Sequence, residues 1–383
     1  MTSSVASSRA ILPSGDSTEA GRPGTVAIAA ANARTGRFLW RVPVRGDFQV
    51  FSGMVLDSET LYGQWASCDT NHAGAAAIDL ATGHVRWRTD TLYQGETLPD
   101  ALPQSALDGV YVTAGGDLGA ADSAGMIVAI NIADGKVRWT RTLTDQPGEG
   151  IALDQAVLAV TTVPADGGAG GTLTALDRAT GQVLWTRQLP AGADAWRTIA
   201  ADEGHIFAAY SVNDAIAGTL AFDARTGKTL WKHDGYAPRP SRPGGRVVAL
   251  ETLTGRVPGL VGLDADTGEQ RWQRSRLGDM GDRVDTADGR VVRASVTDID
   301  IHVVDIESGK DAWSRPAADV VVTRANGIVL SDGHGGAGLY DAATGARIGA
   351  PAQLPQEMDQ VTVPPQIDPD GRLILARGCP GRG

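Results

Sequence analysis

Side chains capable of chemistry are scattered through this 383-residue chain. His72, His84, His205, His233, His302 and His334 show no His-x-x-x-His or other close pairing, so their spacing does not read as a zinc site. Asp298 and Asp300 alternate in an Asp-Ile-Asp-Ile-His stretch. Acid–base work needs two carboxylates facing one bond, and the pattern brings no second acid opposite them. Gly333-His-Gly335-Gly336-Ala-Gly338 fits a dinucleotide fingerprint, which requires a helix to follow. A Tyr-Asp-Ala-Ala-Thr-Gly turn signal follows instead, so these glycines read as a loop. The nucleophile elbow Gly-x-Ser-x-Gly does not occur. Only two cysteines are present, Cys68 and Cys379.

The elements that position these residues are set by composition and repetition. Hydrophobic residues make up 42% and charged residues 21%, enough apolar side chain for a large core. The net charge of −11 argues against a nucleic-acid partner, whose phosphates need a basic face. It also argues against an anionic membrane surface. The longest apolar run, Val26 to Ala31, falls far short of the ~20 residues that cross a bilayer. No apolar segment of signal-peptide type follows the start. Residues 1–23, rich in Ser, Thr, Gly and Ala, read as a flexible leader or linker remnant, and residues 24–383 as one domain.

One pattern recurs through that domain. Ala77-Ile-Asp79-Leu-Ala-Thr82-Gly83-His-Val-Arg-Trp87 returns as Ala129–Trp139, Ala175–Trp185, Ala221–Trp231, Gly262–Trp272 and Val303–Trp313. A diverged copy, Ala30–Trp40, opens the series. Leu339–Gly345 closes it, with Gly349 where the Trp would stand. The eight turn glycines (36, 83, 135, 181, 227, 268, 309 and 345) lie 36 to 52 residues apart, a period that suits a four-stranded propeller blade. In each copy an apolar strand precedes the Asp and an alternating strand follows the Gly. The Asp can accept hydrogen bonds from the turn it begins, and the Gly supplies positive φ. Asp79 and Gly83, Asp177 and Gly181, Asp223 and Gly227, Asp264 and Gly268, and Asp305 and Gly309 are therefore hairpin-turn residues.

The first copy lacks two upstream strands, and the last is followed by a spare pair near Gln360–Val363 and Arg372–Ala376. The expected fold is all-β: an eight-bladed β-propeller of four-stranded antiparallel blades. The C-terminal strands would pair with the N-terminal hairpin and close the ring, removing free sheet edges.

The repeat resembles the pyrroloquinoline-quinone-type (PQQ-like) β-propeller repeat, with signature Ala-x-Asp-x-x-Thr-Gly-x-x-x-Trp, across residues 24 to 378. The resemblance implies that Trp40, Trp87, Trp139, Trp185, Trp231, Trp272 and Trp313 dock neighbouring blades. Gly349 would make the eighth junction the weakest. Quinone dehydrogenases of this kind carry a vicinal Cys-Cys disulfide and a calcium site. Cys68 and Cys379 are not adjacent, so PQQ and Ca²⁺ belong to the alternative reading and no cofactor is expected. A hydrolase or lyase using propeller-face carboxylates is a further alternative without a positive signal.

The resemblance favours a non-catalytic, monomeric scaffold or sensor working outside the cytoplasm and binding a protein or cell-envelope ligand. Relatives include an outer-membrane assembly lipoprotein and receptor-kinase ectodomains. Under the ring model Cys68 and Cys379 occupy equivalent places in neighbouring blades. They are either a disulfide stapling the seam or two free thiols, and spacing does not decide between them. Binding residues favour loops on a rigid scaffold. The candidates are Trp65, Asp69, Asn71 and His72 after the second strand of blade 2, and Tyr236, Arg239 and Arg242 in a basic Pro-rich connector.

Overall fold

A computed structural model describes residues 26–32, 35, 37–43, 48–67, 72–94, 105–107, 109–115, 125–143, 146–153, 157–163, 170–202, 204–213, 215–234, 236–240, 246–254, 257–275, 283–287, 290–294, 300–316, 319–324, 327–331, 336–353, 366–367 and 371–376. These residues form β-strands and turns only. Their strands assemble into eight antiparallel sheets.

Sheet 1 takes strands from both ends of the chain, in the order Phe38–Pro43, Val26–Asn32, Arg372–Ala376, Gln366–Ile367. Ile28 lies opposite Ala376, and Asn32 opposite Arg372. The strand expected near Gln360–Val363 falls outside the described residues; the innermost strand seen here is Gln366–Ile367.

The other sheets each run through four consecutive strands. Sheet 2 comprises Val50–Leu56, Thr60–Ala66, His72–Asp79 and Val85–Arg88, with the short strand Tyr93–Gln94 added against His72 and Ala73. Sheet 3 comprises Ser105–Leu107, Val110–Gly115, Met126–Asn131 and Val137–Thr142. Sheet 4 comprises Gln146–Leu153, Val157–Val163, Thr172–Asp177 and Val183–Gln188. Sheet 5 comprises Ala195–Asp202, His205–Val212, Ala215–Asp223 and Thr229–His233. Sheet 6 comprises Tyr236–Pro240, Val247–Thr254, Val257–Asp264 and Gln270–Ser275. Sheet 7 comprises Arg283–Ala287, Arg290–Ala294, Asp300–Asp305 and Asp311–Pro316. Sheet 8 comprises Asp319–Arg324, Gly327–Ser331, Gly336–Asp341 and Arg347–Gln353.

The apolar side chains pack between consecutive sheets, not within one. Ala30 and Trp40 of sheet 1 cluster with Phe51, Leu61 and Ile78 of sheet 2. Val112 and Ile127 of sheet 3 meet Leu158 and Leu176 of sheet 4. Phe207 and Trp231 of sheet 5 meet Val248 and Val261 of sheet 6. Inner strands are therefore covered on both faces; all seven residues of Thr60–Ala66, Gln64 included, are buried. The last strand of each sheet lies at the edge and alternates, as in Val183–Gln188, where Trp185 is buried between exposed neighbours.

Candidate functional site

Each hairpin turn is built from its Asp. Asp79 Oδ1 accepts from the backbone N–H of Ala81 and Thr82 and from the Thr82 hydroxyl, at 2.8 to 3.1 Å. Gly83 N–H then donates to Asp79 O (2.8 Å), which closes the turn at φ +74°. Asp177, Asp223, Asp264, Asp305 and Asp341 make the same carboxylate contacts with Thr180, Thr226, Thr267, Ser308 and Thr344.

The seven repeat tryptophans reach from one sheet to the turn of the next. Trp40 Nε1 donates to Leu80 O (2.8 Å), Trp87 to Ile132 O (2.6 Å), Trp139 to Arg178 O (2.9 Å) and Trp185 to Ala224 O (2.8 Å). Trp231 donates to Ala265 O (2.8 Å), Trp272 to Ile306 O (2.8 Å) and Trp313 to Ala342 O (3.0 Å). In every case the acceptor directly follows the turn Asp, or the Asn131 that replaces it in sheet 3. The indole also lies on the turn glycine: a Cβ on Gly227 would sit 2.5 Å from Trp185 Cδ2. The glycine is thus required twice, for its positive φ (+65°) and for the space the neighbouring indole fills.

Two sets of arginines reinforce this arrangement. Neither set was among the expected site residues. Seven residues beyond the turn acid, Arg86 forks onto Asp79 (2.7 and 3.2 Å) and Arg271 pairs with Asp264. Two residues beyond the Trp, Arg141, Arg187, Arg274 and Arg315 donate to the carbonyls of Gly181, Gly227, Gly309 and Gly345. Their recurrence at one offset from Trp was the available signal.

The acid pairs carry a pH dependence. The Arg86 guanidinium, followed by Thr82, holds Asp79 down at about 2. Burial opposes ionisation of Asp264, but Arg271 and Thr267 prevail and it too lies at about 2. A carboxylate whose folded pKa is depressed contributes stability above its unfolded value of ~3.9 and loses it as pH falls toward the folded value. Melting temperature should therefore fall steeply between pH ~4 and ~2. Asp79→Asn should flatten part of that fall; an unchanged profile would deny the pair its role.

The expected binding residues are distributed differently from the sequence reading. Trp65 was expected on a loop. It lies instead in strand Thr60–Ala66 and is 1% exposed, because that strand is covered on both faces. Its indole lies across Gly74 of the adjacent strand, and the Arg88 guanidinium stacks 3.7 Å from its ring centre. Phe48, stacked on Phe51, completes this aromatic–cation cluster. His72 begins the third strand of sheet 2 and is half-buried, with its carbonyl accepting from Ser67 N–H (2.9 Å). Tyr236 and Arg239, expected in a connector, belong to the first strand of sheet 6, opposite Glu251 and Ala249. Tyr236–Pro240 tolerates its prolines because it is an edge strand, paired on one side only and irregular between Tyr236 and Arg239. Val212 and Ala215, at the turn between the second and third strands of sheet 5, lie opposite each other as a tight hairpin. Cys68, Asp69, Asn71, Arg242 and Cys379 lie outside the described residues. Of the proposed binding set, the structure therefore places Trp65 and His72 at one end of sheet 2 and Tyr236 and Arg239 in sheet 6.

Face-to-face antiparallel sheets, seven of them tied by an indole to the turn of the next, define a β-propeller protein. The family model described as outer membrane protein assembly factor BamB matches residues 22–213, 123–241 and 217–381, and the chain belongs to this family of PQQ-like repeat proteins. No curated protein matches the sequence. Solved structures similar to it include the computationally designed Ika8 protein, at 15% identity over 85% of this chain and 96% of that one, with a TM-score of 0.55. A europium-containing methanol dehydrogenase is 11% identical over 86% and 83%, with a TM-score of 0.51. The Dos1 propeller is 11% identical over 83% and 87%, also at 0.51. At these identities the likeness is one of fold.

Proposed function

We propose that this protein is a non-catalytic, extracytoplasmic propeller scaffold. Its eight four-stranded blades form a ring closed at sheet 1, and it binds a protein or cell-envelope ligand on the face opposite the Asp-x-x-Thr-Gly turns. The observation that carries this reading is the use made of the repeat's side chains. The turn Asp is consumed in building the turn, Trp and turn Gly in docking that turn on the neighbouring blade, and arginines recur beside them. The connectors at the other face vary in length and are left for recognition. Ring closure is supported by packing between successive sheets, including sheet 8 against the Gln366–Ile367 strand of sheet 1, and sheet 1 against sheet 2. Placement outside the cytoplasm and a protein partner are supported by membership of a family described as an outer membrane assembly factor. Under this reading the protein is a monomer of one domain, and Trp40, Trp87, Trp139, Trp185, Trp231, Trp272 and Trp313 are its blade-docking residues.

The second reading is a quinone dehydrogenase or its descendant, favoured by the methanol dehydrogenase among the similar folds. Thermal unfolding with PQQ and Ca²⁺ separates the two. Ligand at about 100 times its dissociation constant adds about 2.7 kcal/mol. We expect no shift and no bound-quinone absorbance; a clear upward shift with that absorbance would replace the scaffold with the dehydrogenase.

A further inference from the structure

His205 stands at the seam between sheets 5 and 6. It opens strand His205–Val212, and its side chain is 14% exposed. Both ring nitrogens face carboxylates. Nδ1 lies 2.7 Å from Asp202 Oδ1, at the end of the preceding strand of its own sheet, and Nε2 lies 3.1 Å from Asp266 Oδ1, in the Asp264–Gly268 turn of the next sheet. Phe207 stacks on the imidazole at 5.7 Å, and Phe207 in turn meets Trp231, whose indole holds the same turn through Ala265 O. The charged groups around the ring are anionic at close range. Asp202 and Asp266 touch it, and Asp223 lies opposite His205 in the strand register. Beyond Asp266, Asp264 is neutralised by Arg271, with Arg246 3.9 Å away.

We propose that His205 is a pH-operated latch that fastens sheet 6 to sheet 5 when protonated and releases the Asp266 turn when neutral. The argument is one of donor number. A neutral imidazole has a single N–H, so it cannot donate to two carboxylates at once; an imidazolium can. When the proton leaves to solvent, one contact must fail. Asp202 is 6% exposed and cannot be rehydrated without opening the sheet, whereas Asp266 is 70% exposed and can turn to water. The bond between sheets is therefore the one that breaks, leaving the Trp231 hydrogen bond and the apolar packing of Ala265 to hold the turn. Asp202 foremost raises the His205 pKa against the opposing effect of burial. The sign follows: the latch's contribution is complete below the unfolded value of ~6.5 and is lost as pH rises through the higher folded value. Among the described residues, no other histidine bridges two sheets; the counterpart between sheets 6 and 7 is Arg274 with Asp311 (2.6 and 2.9 Å).

The test is hydrogen exchange by mass spectrometry on the full chain from pH 5.5 to 9, corrected for intrinsic rates, together with ¹⁵N imidazole shifts. We expect segment 264–268 to lose protection as pH rises while segment 177–181, in an equivalent turn without a histidine, does not. Asp266→Asn should remove the pH-dependent part of that loss while the fold persists. His205 should titrate above ~6.5 in the wild type, and lower in the variant. Equal pH dependence in wild type and Asp266→Asn, or a His205 that is already neutral at pH 6, would overturn the latch. If Asp266→Asn unfolds the chain, the wild-type imidazole shifts decide alone.

Discussion

Trp185→Ala should destabilise the protein by about 3–5 kcal/mol, the range for deleting a buried large aromatic, and loosen the junction of sheets 4 and 5. Trp185 is 6% exposed and packs against Phe222 at 5.8 Å. Its removal also takes away the donor to Ala224 O. Trp185→Phe retains apolar area without the N–H, and should cost about 1–3 kcal/mol less than the alanine variant. Denaturant midpoints give the sizes. Exchange at 224–228 locates the damage at the junction, and uniform loss of protection throughout the chain would contradict a local role.

Gly227→Ala is the second large effect. The residue sits at φ +65°, where an L side chain costs roughly 1–2 kcal/mol. The new methyl would also meet the Trp185 ring at 2.5 to 3.0 Å, an overpacking of about 1–3 kcal/mol. These two costs are separable in a double-mutant cycle. With Trp185→Ala already in place the clash has no partner, so Gly227→Ala should then cost only the φ term. Full additivity would mean that the indole and the glycine are independent. Gly109, also at positive φ but with nothing within 4 Å of an added Cβ, is the control: Gly109→Ala should cost the conformational term alone.

The turn was legible because its chemistry is local. Asp79, Thr82 and Gly83 satisfy one another within five residues, so spacing betrays them. The register of the seven tryptophans was legible for the same reason, but their acceptors were not. Trp87 and Ile132 O are 45 positions apart, and nothing near either announces the other. Trp65 misled because a Trp at the end of an apolar strand looks the same whether it faces a loop or an interior; Gly74, which admits its indole, lies in the next strand. The prolines in Tyr236–Pro240 suggested a loop, whereas an edge position absorbs them. His205 and Asp266 come from different repeats, and only the packing of sheet 6 on sheet 5 brings them within 3.1 Å.

Sheet 1 has a consequence for biosynthesis. Its Val26–Asn32 strand leaves the ribosome before its partner Arg372–Ala376, which is made about 340 residues later. At roughly 5–20 residues per second the first hairpin waits on the order of 20–70 s with an unpaired edge. That edge, Val-Ala-Ile-Ala-Ala-Ala, is uncharged and apolar, the composition most prone to pair with a stranger. A premature stop before residue 372 would leave this edge without its partner strand and open to aggregation. Pairing Val26–Asn32 with Arg372–Ala376 makes completion of sheet 1 depend on synthesis of the whole repeat series between them.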